Sequence, residues 1–237
     1  MYHSITFGDK NTWDDWHLIP SSRPVFNPPK PKTNYVDITG SNWHLDLSEA
    51  VSGEVVYEGR MGSLEFIVAN GHQEWHELYS KIMNYLHGRV MKAVLEDDPD
   101  YYYIGRFSVN QWKSDPHNSK ITIDYNVNPY KLEHSISNED WKWDEFNFEI
   151  GVIRDYNNYQ VDGTFTMTII GSEMSVTPVF KVTSDDGSGL TVEYNGNTYS
   201  LPDGETRVIN IIIRSGESTL TFTGKGTVSI EYRGGSL

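Results

Sequence analysis

The 237-residue chain contains no cysteine, which excludes disulfides, thiolate metal sites and cysteine nucleophiles. It has no long apolar run either: the most apolar stretch, residues 209–213, is broken by Asn210, far short of a membrane span. Basic residues are scarce, 19 Lys and Arg against 33 Asp and Glu, for a net charge of −14. The acidic excess runs throughout, with 18 acidic and 12 basic residues in 1–133 and 15 and 7 in 134–237. Sequence-specific nucleic-acid binding therefore lacks its electrostatic footing, and an anionic membrane surface is disfavoured for the same reason. The opening Met1-Tyr2-His3-Ser4 shows neither the basic nor the apolar region of a signal peptide. Synthesis in a reducing cytoplasm, with no membrane partner, is the expectation.

What the chain does have is aromatic weight. Fifteen Tyr, seven Trp and nine Phe supply large buried area per residue, although hydrophobic residues are only 37%. Three of the tryptophans, Trp13, Trp16 and Trp43, punctuate the first fifty residues, around a rigid run that includes Pro20, Arg23, Pro24, Pro28, Pro29 and Pro31. Proline lacks an amide hydrogen and fixes φ, so this run is neither helix interior nor central strand. It reads as a stiff, exposed, extended loop that can contact a neighbour at little entropic cost. Trp16, Arg23, Pro24, Pro28 and Pro29 are its candidate interface residues, with Arg23 the charged anchor. The alternative is a loop strapped across its own domain.

Two patterns divide the chain. In the first half, Trp75, Leu78, Tyr79, Ile82, Met83 and Leu86 recur at helical spacing, with Asn70 as cap, Gln73 as reciprocal partner and Gly88 as stop. The spacing predicts one helix over about 71–87, its stripe of Trp75, Leu78, Ile82 and Leu86 facing a core. Strands are expected at 63–68, 90–95, 101–112 and 120–127. The second half alternates with period two at 164–169, 190–194, 219–222 and 227–232, and Asn195-Gly196 signals a type I′ hairpin. The fold class is mainly β with one helix. The domain reading is 1–133 followed by 134–237, with the join in 128–140.

Several motifs look like chemistry and fail its requirements. His72 and His76 stand four apart, but Gln73 occupies the place where a zinc-protease helix needs Glu, and no third ligand is indicated. Glu96, Asp97, Asp98 and Asp100 lack calcium-loop spacing and read as a turn. Asp185-Asp186-Gly187-Ser188-Gly189 opens no helix, as a phosphate loop must, and Gly-x-Ser-x-Gly does not occur. The expectation is no enzyme, no metal and no cofactor. Trp141 and Trp143 are two apart, as are Phe146 and Phe148, so each pair shares one face of a strand, either as core or, for Trp141 and Trp143, as a surface that stacks on sugar.

The wording of several segments resembles a known family. These are residues 4–24, Tyr57-Glu58-Gly59-Arg60 leading into Ser63-Leu64-Glu65-Phe66, Leu95 to Tyr103 with Gly105-Arg106, and Asp124 to Lys131. Together they are similar to the distal tail proteins of bacteriophages with long, non-contractile tails. More generically, 219–235 is similar to the family's last strands. The resemblance implies a split-barrel-like N-terminal domain that closes a homohexameric ring, and a galectin-like β-sandwich outside it. It implies a hub at the distal end of the virion tail. The partners would be the tail tube protein, the tail-tip or fibre protein and a receptor-binding protein. The rival expectation is a carbohydrate-binding module for host cell-wall sugar.

Overall fold

The computed structural model describes residues 2–69, 75–113, 119–134, 136–137 and 154–237. The chain is mainly β with one α-helix among the described residues, and it forms two compact units that divide between Lys131 and Leu132. Trp141, Trp143, Phe146, Phe148, Asn70, His72 and Gln73 lie outside the described residues.

The first unit carries β1 (Ile5–Phe7), β2 (Lys10–Asn11), β3 (Leu18–Pro20), β4 (Tyr35–Asp37), β5 (His44–Asp46), β6 (Arg60–Val68), α1 (Trp75–Leu86), β7 (Arg89–Leu95), β8 (Asp98–Lys113) and β9 (Lys120–Val127). Seven of these strands pair antiparallel in the order β2-β1-β7-β8-β9-β6-β3. Register shifts at Ala93/Leu95 and Val109/Gln111 mark bulges, which bend and twist a sheet locally. The inward face collects Phe7, Leu18, Phe66, Phe107, Ile121 and Ile123, all fully buried. Helix α1 seats Trp75, Ile82 and Leu86 on that core, and Gly88, at φ 74°, ends it in the left-handed turn. Leu78 faces the same core. It is only half-buried and packs at the margin.

The second unit carries most of β10 (Lys131–Glu133), with β11 (Tyr159–Gly171), β12 (Val179–Ser184), β13 (Leu190–Tyr194), β14 (Asn197–Leu201), β15 (Gly204–Arg207), β16 (Gly216–Glu231) and β17 (Gly235–Ser236). One six-stranded sheet organises it, in the order β14-β13-β16-β12-β15, with β11 along the other side of β16. The sixteen-residue β16 pairs with β13 at 221–223 and with β12 at 226–231, so one strand serves both halves. Its inward residues Leu220, Phe222, Val228 and Ile230 pack with Phe180, Val192, Ile211 and Ile213. Asn195 and Gly196 both have positive φ, 49° and 76°, as the predicted type I′ turn requires.

The proline run is strapped across the first unit, and this corrects the expectation of a wholly exposed loop. Pro24 and Phe26 are buried. Phe26 sits against Tyr103, Phe107 and Tyr125 at ring centroids of 4.2, 6.4 and 4.7 Å. The Tyr125 hydroxyl accepts from Asn27 N at 2.8 Å, and Asn27 Nδ2 donates to Met61 O. Buried Arg60 donates to the carbonyls of Asn27 and Pro129. A Cβ at Gly62 would collide with both Tyr125 and Asn27, so glycine there lets the strap lie close.

Phe26→Ala should cost about 3–5 kcal/mol through its cavity, whereas Leu78→Ala at the margin should cost about 1–2 kcal/mol. Urea unfolding of both variants checks this; equal costs would show that the strap is not a core element.

Candidate interaction surface

Just before β8 the acidic turn serves as a clasp. Glu96 accepts from Ser4 N at 2.7 Å and from Ser4 Oγ at 3.1 Å. Asp97 accepts from His3 Nδ1 at 2.8 Å and from Arg23 Nε at 2.9 Å. Asp98 accepts from Lys131 Nζ at 2.7 Å, and that ammonium also lies 4.2 Å from the Tyr101 ring centroid. The turn read from Asp-Asp-Pro-Asp is thus centred one step earlier, at Glu96-Asp97, with Pro99 inside the first residues of β8. The hydrogen bond from His3, then that from Arg23, holds the Asp97 carboxyl below the usual range, and the Ser4 amide does the same for Glu96.

The sequence-predicted interface residues divide accordingly. Trp16 is buried between Phe7 and Tyr85 at 6.4 and 5.7 Å, so its side chain belongs to the core. Arg23 is exposed along most of its length, but its guanidinium is committed to Asp97. Pro24 is buried, Pro29 is half-buried and Pro28 faces solvent. His87 Nδ1 accepts from Val109 N, and His76 packs edge-on against Trp112. Among the described residues, no three or more His, Asp or Glu side chains are grouped so as to hold a metal ion. Asp186 Oδ1 caps its own turn through Ser188 N and Oγ.

Beyond the strap the chain leaves the core as an arm. Lys32 N donates to Val56 O and Glu58 N to Lys30 O, and Pro31 bridges Tyr57, so the outgoing and returning segments form a short stalk. Its end is the two-stranded hairpin of β4 and β5, with Tyr35 opposite Asp46, Val36 opposite Leu45 and Asp37 opposite His44. Among the described residues no third strand pairs with it. Among the described residues, eight of fifteen exposed large apolar side chains fall between Tyr35 and Val56. Trp43 is 76% exposed, and Val51 is fully exposed. A two-stranded hairpin is marginal alone in water, so apolar side chains on both strands without a covering layer leave it short of burial. Asp37, Asp46, Glu49, Glu54 and Glu58 add acidic charge around them. This is the largest concentration of uncovered apolar side chains among the described residues. Sequence reasoning did not name this segment as a surface, although Trp43 and the valine-rich stretch at 51–56 stand in the sequence.

The sequence matches no family model and no curated protein. Among solved structures the fold is similar to the Dit protein of SPP1, described as a paradigm of the hub adsorption apparatus in phages infecting Gram-positive bacteria. The TM-score is 0.64 at 10% identity, over 99% of both chains. The likeness is one of fold, and it runs through both units.

Because both clasp carboxyls titrate lower in the folded chain than when unfolded, their stabilisation is present in full above about pH 5. It is lost as pH falls through the depressed folded values. Asp97→Asn should therefore flatten the acid limb of stability against pH while leaving its shape above pH about 5 unchanged. Urea midpoints measured across that range decide it; an unaltered acid limb would remove Asp97 from the clasp.

Proposed function

We propose that this protein is a structural hub of a phage tail, a ring-forming component at the distal end of a long non-contractile tail. The observation that carries the reading is the uncovered arm. A chain that leaves an apolar hairpin in water has a covering surface elsewhere, and a second copy of itself is the economical source. Repeated head-to-tail, such a contact closes a ring when the rotation divides the circle. The fold shared end to end with a hub adsorption protein, and the distal-tail wording of the N-terminal segments, support the same assignment.

In this reading the first unit, split-barrel-like, forms the hexameric ring. The galectin-like second unit lies outside, and the ring joins tail tube to tail-tip, fibre and receptor-binding proteins. The function is geometric rather than catalytic. A net charge of −14 opposes adhesion of passing DNA, since like charge repels phosphate.

The test uses point variants. Deleting residues 24–31 would remove Phe26 from the core and confuse folding with assembly. Trp43→Asp combined with Val51→Asp touches only exposed side chains and should shift stability by no more than about 0.5 kcal/mol. Rings formed by the wild type, alone or with co-expressed tail tube and tip proteins, should be lost in the double variant, as read by light scattering and electron microscopy. Undiminished ring assembly in that variant would overturn the arm's role.

A further inference from the structure

The composition of the arm defines what can cover it. Between residues 33 and 59 stand five carboxylates, Asp37, Asp46, Glu49, Glu54 and Glu58, and no lysine or arginine. A surface that covers the apolar side chains must therefore be apolar and cationic together, since carboxylates pressed against uncharged protein lose water without gaining a partner. Outside the arm, the exposed large apolar side chains among the described residues of 2–131 are Tyr2, Val25, Met61 and Val90. Tyr2 is stacked on Trp13 at 3.8 Å, and Val25 lies on the strap. Met61 and Val90 remain, both more than half exposed.

Register puts these two on one face of the first sheet. Val90 of β7 stands opposite Arg106 of β8, Arg106 opposite Asn126 of β9, and Asn126 opposite Met61 of β6. Directly paired residues project to the same side, so the four form a row about 14 Å long, with strands about 4.8 Å apart. Beside this row, Lys92 stands opposite Ile104; on its other side lie Ser108, Asp124 and Ser63. This is the outer face, because the alternate residues Ala93, Phe107 and Tyr125 point into the core. The three rows carry two cations and one carboxylate, on a chain whose net charge is −14. Among the described residues neither cation meets a carboxylate. Lys92 Nζ lies 4.4 Å from the Tyr102 ring centroid, and Arg106 donates to the Gly88 carbonyl.

We propose that this face receives the arm of a second copy of the chain, the apolar tip lying across Met61, Ile104 and Val90 and its carboxylates meeting Lys92 and Arg106. Resting on the ring reading, this contact gives the ring two unlike halves, an arm that is offered and a face that accepts it. Arm against arm would set five carboxylates against five, so the pairing is head-to-tail. The covered apolar area supplies affinity, while the cations fix register and speed the encounter. Duplex DNA, the other anionic occupant for two cations, presents a charged backbone to Met61 and Val90 and leaves them uncovered.

The lack of native cysteine makes every introduced thiol unique. Full-length chains with Leu45→Cys or Val51→Cys in the arm are mixed with tagged chains carrying Met61→Cys or Val90→Cys, then joined by a short bis-maleimide. All four positions are exposed, so each variant keeps the fold. Arm-to-face dimers should exceed, about tenfold or more, those between an arm variant and Thr198→Cys, an exposed position on the second unit. Lys92→Gln with Arg106→Gln, which leaves an amide donor for Gly88, should lower the yield about tenfold at low salt and abolish its decline with added salt. Yields no higher than the control, an unaltered salt dependence in the glutamine variant, or linkage confined to single chains when both thiols share one chain would each overturn the proposal. Retention of duplex DNA by the wild type and not by the glutamine variant would do the same. Rings without these cross-links would leave the hub reading standing and remove this face from it; cross-links without rings would keep the contact and count against ring closure.

Discussion

The seating of Phe26 under the proline strap is the contact on which the rest of the first unit depends. Its ring fills the space between Tyr103, Phe107 and Tyr125, three residues from two adjacent strands, and so converts a rigid surface segment into part of the core. The polar groups beside it act in the same direction. Tyr125 receives the Asn27 amide, and Arg60 gathers the carbonyls of Asn27 and Pro129. A guanidinium that bonds two carbonyls from separate segments fixes the path of the crossing, each such bond contributing on the order of 1 kcal/mol. Proline contributes at both ends of the comparison, since it also narrows the unfolded ensemble.

What the strap determines is where the arm begins. Residue 27 is fixed, residues 30 and 32 pair with 58 and 56, and β6 starts at Arg60, so the hairpin projects from a defined base. The arm itself has little intramolecular support beyond two short strands and their turn. Rigid base and uncovered tip suit a segment that completes its packing against another surface. Ordering cost is largely met before any partner arrives, because the stalk is already paired.

Legibility followed the locality of each signal. The Asn195-Gly196 hairpin, the helix ended by Gly88 and the strand Lys120–Val127 were readable because turn chemistry and periodicity are local properties. The strap was misread in a specific way. Proline correctly excluded helix and central strand, but no local rule says that Pro24 and Phe26 turn inward, which depends on an aromatic niche built by residues 103, 107 and 125. Trp16, read as an interface residue beside the proline run, likewise turns inward, where its ring closes over Phe7. The clasp was hidden for the opposite reason, since Asp97 is an ordinary turn residue until His3 and Arg23 reach it from far along the chain.

The two units thus present opposite kinds of surface, and each kind limits what can occupy it. The arm displays apolar side chains among carboxylates, so its occupant must exclude water, and its energetics follow buried area and shape. The outer face of the second sheet interleaves threonine hydroxyls with Glu193, Lys225 and the Lys181–Glu205–Glu231 cluster, so an occupant there must replace water hydrogen bonds one for one. Exchange of that kind yields little per contact. Covering an exposed tryptophan or valine removes apolar area from water outright and is worth more for each side chain. The arm is therefore the surface on which association energy can concentrate, and the outer face of the second sheet is the one that water already satisfies.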